Sequence, residues 1–146
     1  MGPVTHLAAG VLIGASIGTA TGQPVVGVIA GSVGAIFPDI DRPGSVLGLL
    51  IGHRTLTHKI EFVLGVGALA MALLGSTPYA ITSVLSFVTG GISHLILDAI
   101  TRSGIQPTLF LPVHFKGPLK SGSILVELPL IIIMLLCIKK VLGVTI

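Results

Sequence analysis

Tryptophan is missing from these 146 residues, cysteine and tyrosine occur once each, and charged side chains make up only 9% of the chain. A single cysteine, Cys137, excludes an internal disulfide, and its place in an apolar run makes it a small packing residue. So little charge, against about 25% in soluble domains, excludes an ordinary water-soluble globule. With 52% hydrophobic residues and a mean hydropathy of +1.07, the chain reads as an integral membrane protein. The net charge of +3 comes from scattered basic residues, and aromatics are only 4%, so no nucleic-acid partner is expected. No basic stretch precedes the first apolar run, which reads as a mature membrane helix instead of a removed signal peptide. No hydrophilic linker divides the chain, and residues 1–146 are expected to form one membrane-embedded domain. Phosphate-binding Walker loops and His-Glu-x-x-His helices are absent as well.

Glycine is plentiful: twenty residues lie spaced through the apolar runs, as in closely packed transmembrane helices. Apolar runs set against turn signals predict an all-α bundle of about five membrane segments, at residues 4–20, 25–37, 60–74, 79–100 and 123–141. Thr21-Gly22-Gln23-Pro24 and Gly75-Ser76-Thr77-Pro78 supply turns, and Pro129 is expected to kink the last segment. The patch at 46–51 is too short to cross and reads as a re-entrant or interfacial loop. Residues 101–122, with three prolines, read as an irregular surface loop.

Five crossings place alternate helix ends on opposite faces of the membrane. On the face that carries the N-terminus, here side A, fall His6, the Pro38-Asp39-Ile40-Asp41 stretch, His53 and His58, His94 and Asp98, and Glu127. The side-B turns at 21–24 and 75–78 carry no ionisable residue. Ionisable groups at the hydrocarbon edge are costly, so their collection at one end predicts one shared site. Arg42, Arg54, Lys59, Arg102, Lys116 and Lys120 on side A outnumber Lys139 and Lys140 opposite, which puts side A in the cytoplasm by the positive-inside rule.

Imidazole mixed with carboxylate is the donor set of a divalent metal, zinc above all. His94 and Asp98, four apart on a helix, share one face and can grip one ion, although a plain histidine–aspartate hydrogen bond fits the same spacing. His53 and His58, five apart, need a turn between them to meet; Thr55 and Thr57 beside them would also suit a helix cap. Arg54 suits a bidentate hold on phosphate oxygens. Asp39 and Asp41 share a side if the chain there is extended, or belong to a solvated capped loop. Thr5 would cap the first helix, leaving His6 as a ligand or an interfacial side chain. Glu127, in an apolar helix, requires a partner such as a metal, Arg102 or Lys120. Glu61 and His114 are expected at the interface or in supporting roles.

Thr5-His6, Pro38-Asp39-Ile40-Asp41, His53-Arg54-x-x-Thr57-His58, and His94-x-x-x-Asp98 followed by Thr101 and Gly104 together resemble the YdjM-type family of membrane-bound, metal-dependent hydrolases over nearly the whole chain. Glu127 after Gly122-Ser123 is similar to that family's late acidic position. The resemblance implies a small multi-helix inner-membrane protein whose hydrolase label rests on its His/Asp pattern. At the level of one motif, His-x-x-x-Asp is also similar to the ligands of zinc-dependent phospholipase C, from which this chain departs in lacking tryptophan.

The expected activity is hydrolysis of a phosphoester in a lipid or lipid-linked molecule at the bilayer surface. His6, Asp39, His53, His58, His94 and Asp98 would hold one or two divalent ions, zinc by their donor chemistry, with Arg54, Asp41 and Glu127 as catalytic groups. Competing readings are a metal-ion or proton transporter or channel, and a membrane protein with a purely structural metal staple.

Overall fold

The computed structural model describes residues 1–41, 44–51 and 55–143. Its helices are α1 (Pro3–Ala20), α2 (Pro24–Ile36), α3 (Val46–Ile51), α4 (Ile60–Leu74), α5 (Ala80–Ala99) and α6 (Ile124–Val141), and a 3₁₀ helix, Phe37–Asp41, extends α2. Proline opens both α1 and α2, where its missing N–H costs nothing. Three stretches, Pro3–Ala20, Pro24–Asp41 and Ala80–Ala99, are long and apolar enough to cross a membrane, and Ile60–Leu74 is a shorter apolar helix. The 18-residue α6 carries Glu127 in its first turn and Lys139 and Lys140 in its last, where cations suit the helix dipole. The fold is thus the helical membrane bundle expected, with α3 a six-residue helix too short to cross.

Glycine sets the spacing of the central three helices. A Cβ on Gly14 would strike the carbonyl of Gly27, one on Gly31 the carbonyl of Gly10, and one on Gly90 the carbonyl of Gly31. These obstacles are backbone atoms and cannot rotate aside, so α1, α2 and α5 approach at a distance that only glycine permits. Along α5, Thr82, Ser86, Gly90, His94 and Asp98 recur every four residues and are all buried, forming one small and polar stripe that faces this seam. At its side-B end Thr82 donates to the Thr21 hydroxyl at 2.8 Å, and the Gln23 amide donates to the Pro78 carbonyl at 2.9 Å. Val63, Leu95 and Ile105 make a small apolar core where α4 and α5 meet the segment that follows α5.

Several local expectations are corrected. Phe37–Asp41 is a 3₁₀ helix and not extended, so Asp39 and Asp41 diverge. The residue before α4 is Lys59, which caps through no side chain, and Thr57 turns inward instead. Thr5 does not cap α1, which starts after Gly2; its hydroxyl donates to Glu127. Residues 101–122 are also more ordered than an irregular loop: Ile105 and Phe115 exchange backbone hydrogen bonds at 2.9 and 2.8 Å, and Thr101 bridges to Leu119.

Candidate metal centre

Four elements deliver side chains to one buried point on side A. α1 contributes His6, the 3₁₀ helix Asp39 and Asp41, the segment before α4 His58, and the last two turns of α5 His94 and Asp98. Burial of His6, His58, His94, Asp41 and Asp98 is nearly complete, while the Asp39 side chain retains 13% exposure and marks the open side.

The convergent atoms define a cage. His58 Nε2 and His94 Nε2 are 3.3 Å apart; Asp39 Oδ1 is 3.7 Å from each, and Asp98 Oδ2 is 3.8 Å from each. Tetrahedral ligands at zinc distances of about 2.0–2.1 Å stand about 3.3–3.4 Å apart, so small side-chain movements would close this cage on an ion. His94 Nδ1 lies 2.7 Å from the Ala35 carbonyl, which only accepts, so this nitrogen carries the hydrogen and Nε2 keeps its lone pair. On His58 the same result follows from Thr57. The Thr57 hydroxyl gives its one hydrogen to Asp41, and its oxygen, 3.1 Å from His58 Nδ1, is left to accept from that nitrogen. Two imidazole lone pairs and two carboxylate oxygens therefore face one another. A cation between them could be held by these donors.

A second group adjoins the first. His6 stacks on His94 with ring centroids 3.7 Å apart, and its Nε2 lies 3.3 Å from Asp98 Oδ1. Asp98 thus divides its oxygens, Oδ2 toward the His58–His94 pair and Oδ1 toward His6 and the Met1 amino group. His6, His94 and Asp98 form one set with ligand geometry, and Asp39, His58 and His94 another. Buried His6 Nδ1 has no hydrogen-bond partner among the described residues, which leaves donor capacity beside the cage.

Asp41, expected among the catalytic groups, faces His58 Nδ1 at 3.8 Å and holds Thr57, so it stands behind a cage histidine. Glu127 joins neither set. In place of Arg102 or Lys120, it accepts from Gly2 N at 2.9 Å, Thr5 Oγ1 at 2.7 Å and Gly122 N at 2.7 Å, strapping the start of α1 to α6. Arg102 instead donates to the Pro118 carbonyl at 3.2 Å, and Glu61 accepts from Thr108 and from Leu109 N. His53 and Arg54 lie outside the described residues. Two members of the site escaped the sequence reading. Thr57 was legible only as a cap, although its position beside His58 was a signal; the Ala35 carbonyl is a backbone group and leaves no signature.

The fold and this site define a class: a polytopic helical membrane protein with a buried histidine–aspartate centre at one end of its bundle. The chain belongs to the family described as YdjM inner membrane protein, which it matches over residues 1–144. It is also 33% identical over 115 residues, 69% of each chain, to the Uncharacterized protein YvsG of Bacillus subtilis (strain 168). No solved structure matches it significantly.

Proposed function

We propose that this protein is a metal-dependent hydrolase embedded in the cell membrane, acting on a phosphoester of a lipid or lipid-linked molecule at side A, the cytoplasmic face by its richer basic content. The observation that carries this reading is the cage of lone pairs formed by His58, His94, Asp39 and Asp98. Two imidazoles with carboxylates suit zinc better than calcium or magnesium, which prefer oxygen alone. When bound, a divalent ion there supplies Lewis acidity toward a phosphoryl oxygen and makes water more acidic.

The chain's own residues supply order. Ala35 and Thr57 fix the tautomers of His94 and His58, Asp41 holds Thr57, and His6 buttresses His94 by stacking. The partly exposed edge at Asp39 is where a phosphate group would approach, and release of that carboxylate would open a coordination position.

A second reading, a structural metal staple, is favoured by the burial of the donors, since closed four-ligand sites are structural. Transport is opposed by the seam: below the cage, glycine contacts between α1 and α2 and between α2 and α5 bring the backbones together along the axis.

Metal analysis of tag-free purified protein tests the shared premise. Stoichiometric metal is expected in the wild type and its loss in the His94→Ala, Asp98→Ala double variant; no metal in either would end both metal readings. Turnover of short-chain phospholipids or phosphomonoesters that requires the metal supports the hydrolase, whereas tight metal binding without turnover of any phosphoester supports the staple.

A further inference from the structure

Residues 105–115 form a short hairpin whose apolar tip is exposed among the described residues. Its base is fastened by the paired backbone bonds of Ile105 and Phe115. From there the Pro107 carbonyl accepts from Ile60 N at 2.7 Å, and Thr108 and Leu109 N donate to Glu61. Residues 107–109 are thus fastened to the first two residues of α4, at the end where that helix begins. The Lys59 ammonium adds a bond to the Gln106 carbonyl at 2.6 Å.

An apolar groove of about 230 Å³ lies under the hairpin, lined among others by Pro107 and Phe115 from the hairpin and by Ile92, Ile96 and Ala99 from α5. From Ala99, the side-A end of α5, Ile92 is seven residues inward, about 10 Å at 1.5 Å per residue. The interfacial layer outside the hydrocarbon is about 5–8 Å on each side, so the groove at the base of the hairpin reaches the depth of the acyl chains. Its tip carries Leu109, Phe110, Leu111 and Val113, all exposed, with Phe110 at 82%. His114, Lys116 and Lys120 follow, also exposed, where anionic headgroups would meet them. Near the tip, the Gln106 amide donates to the Thr108 and Leu111 carbonyls at 3.3 and 3.4 Å.

We propose that this hairpin is a wedge inserted into the side-A leaflet, its tip among the acyl chains and its basic flank on anionic headgroups. The occupant of this surface is lipid: the groove is continuous with the lipid-facing sides of α4 and α5, and the cations match the charge of the leaflet surface. The inference stands whether or not the neighbouring centre is catalytic. It places the mouth of the cage on a leaflet that the protein itself perturbs.

Exposed Cys137 is the single native thiol, so a Cys137→Ala background allows one nitroxide at a time through Phe110→Cys or Leu111→Cys. Full-length protein is reconstituted into vesicles of phosphatidylcholine and phosphatidylglycerol, with Ser76→Cys in the exposed side-B turn as a water-facing reference. Collisions with oxygen are expected to dominate at 110 and 111, and those with a water-soluble nickel chelate to fall to a small fraction of the Ser76 value. Nickel collisions at both sites equal to those at Ser76 would overturn the proposal. So would shielding of both sites from both reagents, which would mean that protein covers the tip.

Discussion

The two ends of the bundle solve the problem of filling the space between helices in opposite ways. Toward side B, Gly14, Gly18 and Gly27 let backbones touch, and the polar groups are hydroxyls and amides that bond to each other. Toward side A the same helix ends enclose three imidazoles and their carboxylates. Close packing of glycine stabilises through many small dispersion contacts and tolerates no added atom. A cluster of imidazoles and carboxylates has the donor set that a cation would join. One end therefore holds the helices in register, and that register presents the ligands at the other.

The largest expected effect strips the cage. The His94→Ala, Asp98→Ala double variant should lose metal affinity by more than the roughly 10–100-fold typical of removing a supporting partner, as read by elemental analysis after dialysis. Retention of stoichiometric metal would show that the ion sits elsewhere. Next comes the seam: Gly31→Val should destabilise the protein by about 1–3 kcal/mol, because its side chain would meet the Gly10 carbonyl and the Gly14 backbone. Thermal unfolding in detergent measures this, and an unchanged midpoint would break the contrast between the two ends.

Thr57→Val keeps the shape but removes the hydroxyl that links Asp41 to His58. Metal affinity should fall about 10–100-fold with the midpoint of the apo protein little changed. Smallest is Glu127→Gln, which weakens the strap between α1 and α6 without touching either ligand set. A loss of about 1 kcal/mol in stability with unchanged metal stoichiometry is expected. Loss of metal in this variant would return Glu127 to the centre itself.

Much of this arrangement was readable before any coordinates. Apolar runs located the helices, and the parity of five crossings alone gathered His6, Asp39, Asp41, His58, His94, Asp98 and Glu127 at one end. Spacing of four on one helix correctly paired His94 with Asp98. What escaped depended on backbone geometry that side-chain patterns do not encode. Pro38 gives no sign that Phe37–Asp41 winds as a 3₁₀ helix, yet that winding sends Asp39 to the Nε2 side of His58 and Asp41 to its Nδ1 side. Glu127 drew an expectation of a cationic partner because a carboxylate in an apolar helix needs donors, but two of its three donors are backbone N–H groups without a signature. The hairpin left no pattern in the sequence, because single backbone bridges at Ile105–Phe115 and Thr101–Leu119 close it without strands. The twenty glycines announced close packing; which glycine meets which was fixed only by helix register.

The central claim is that one cation joins helix ends drawn from distant parts of the chain. X-ray absorption spectroscopy of the zinc-loaded, tag-free protein tests it most directly. The account predicts stoichiometric zinc with two imidazole nitrogens and carboxylate oxygens at about 2.0–2.2 Å, and loss of imidazole scattering in His58→Ala. Zinc coordinated by oxygen alone, or a spectrum unchanged by His58→Ala, would contradict it.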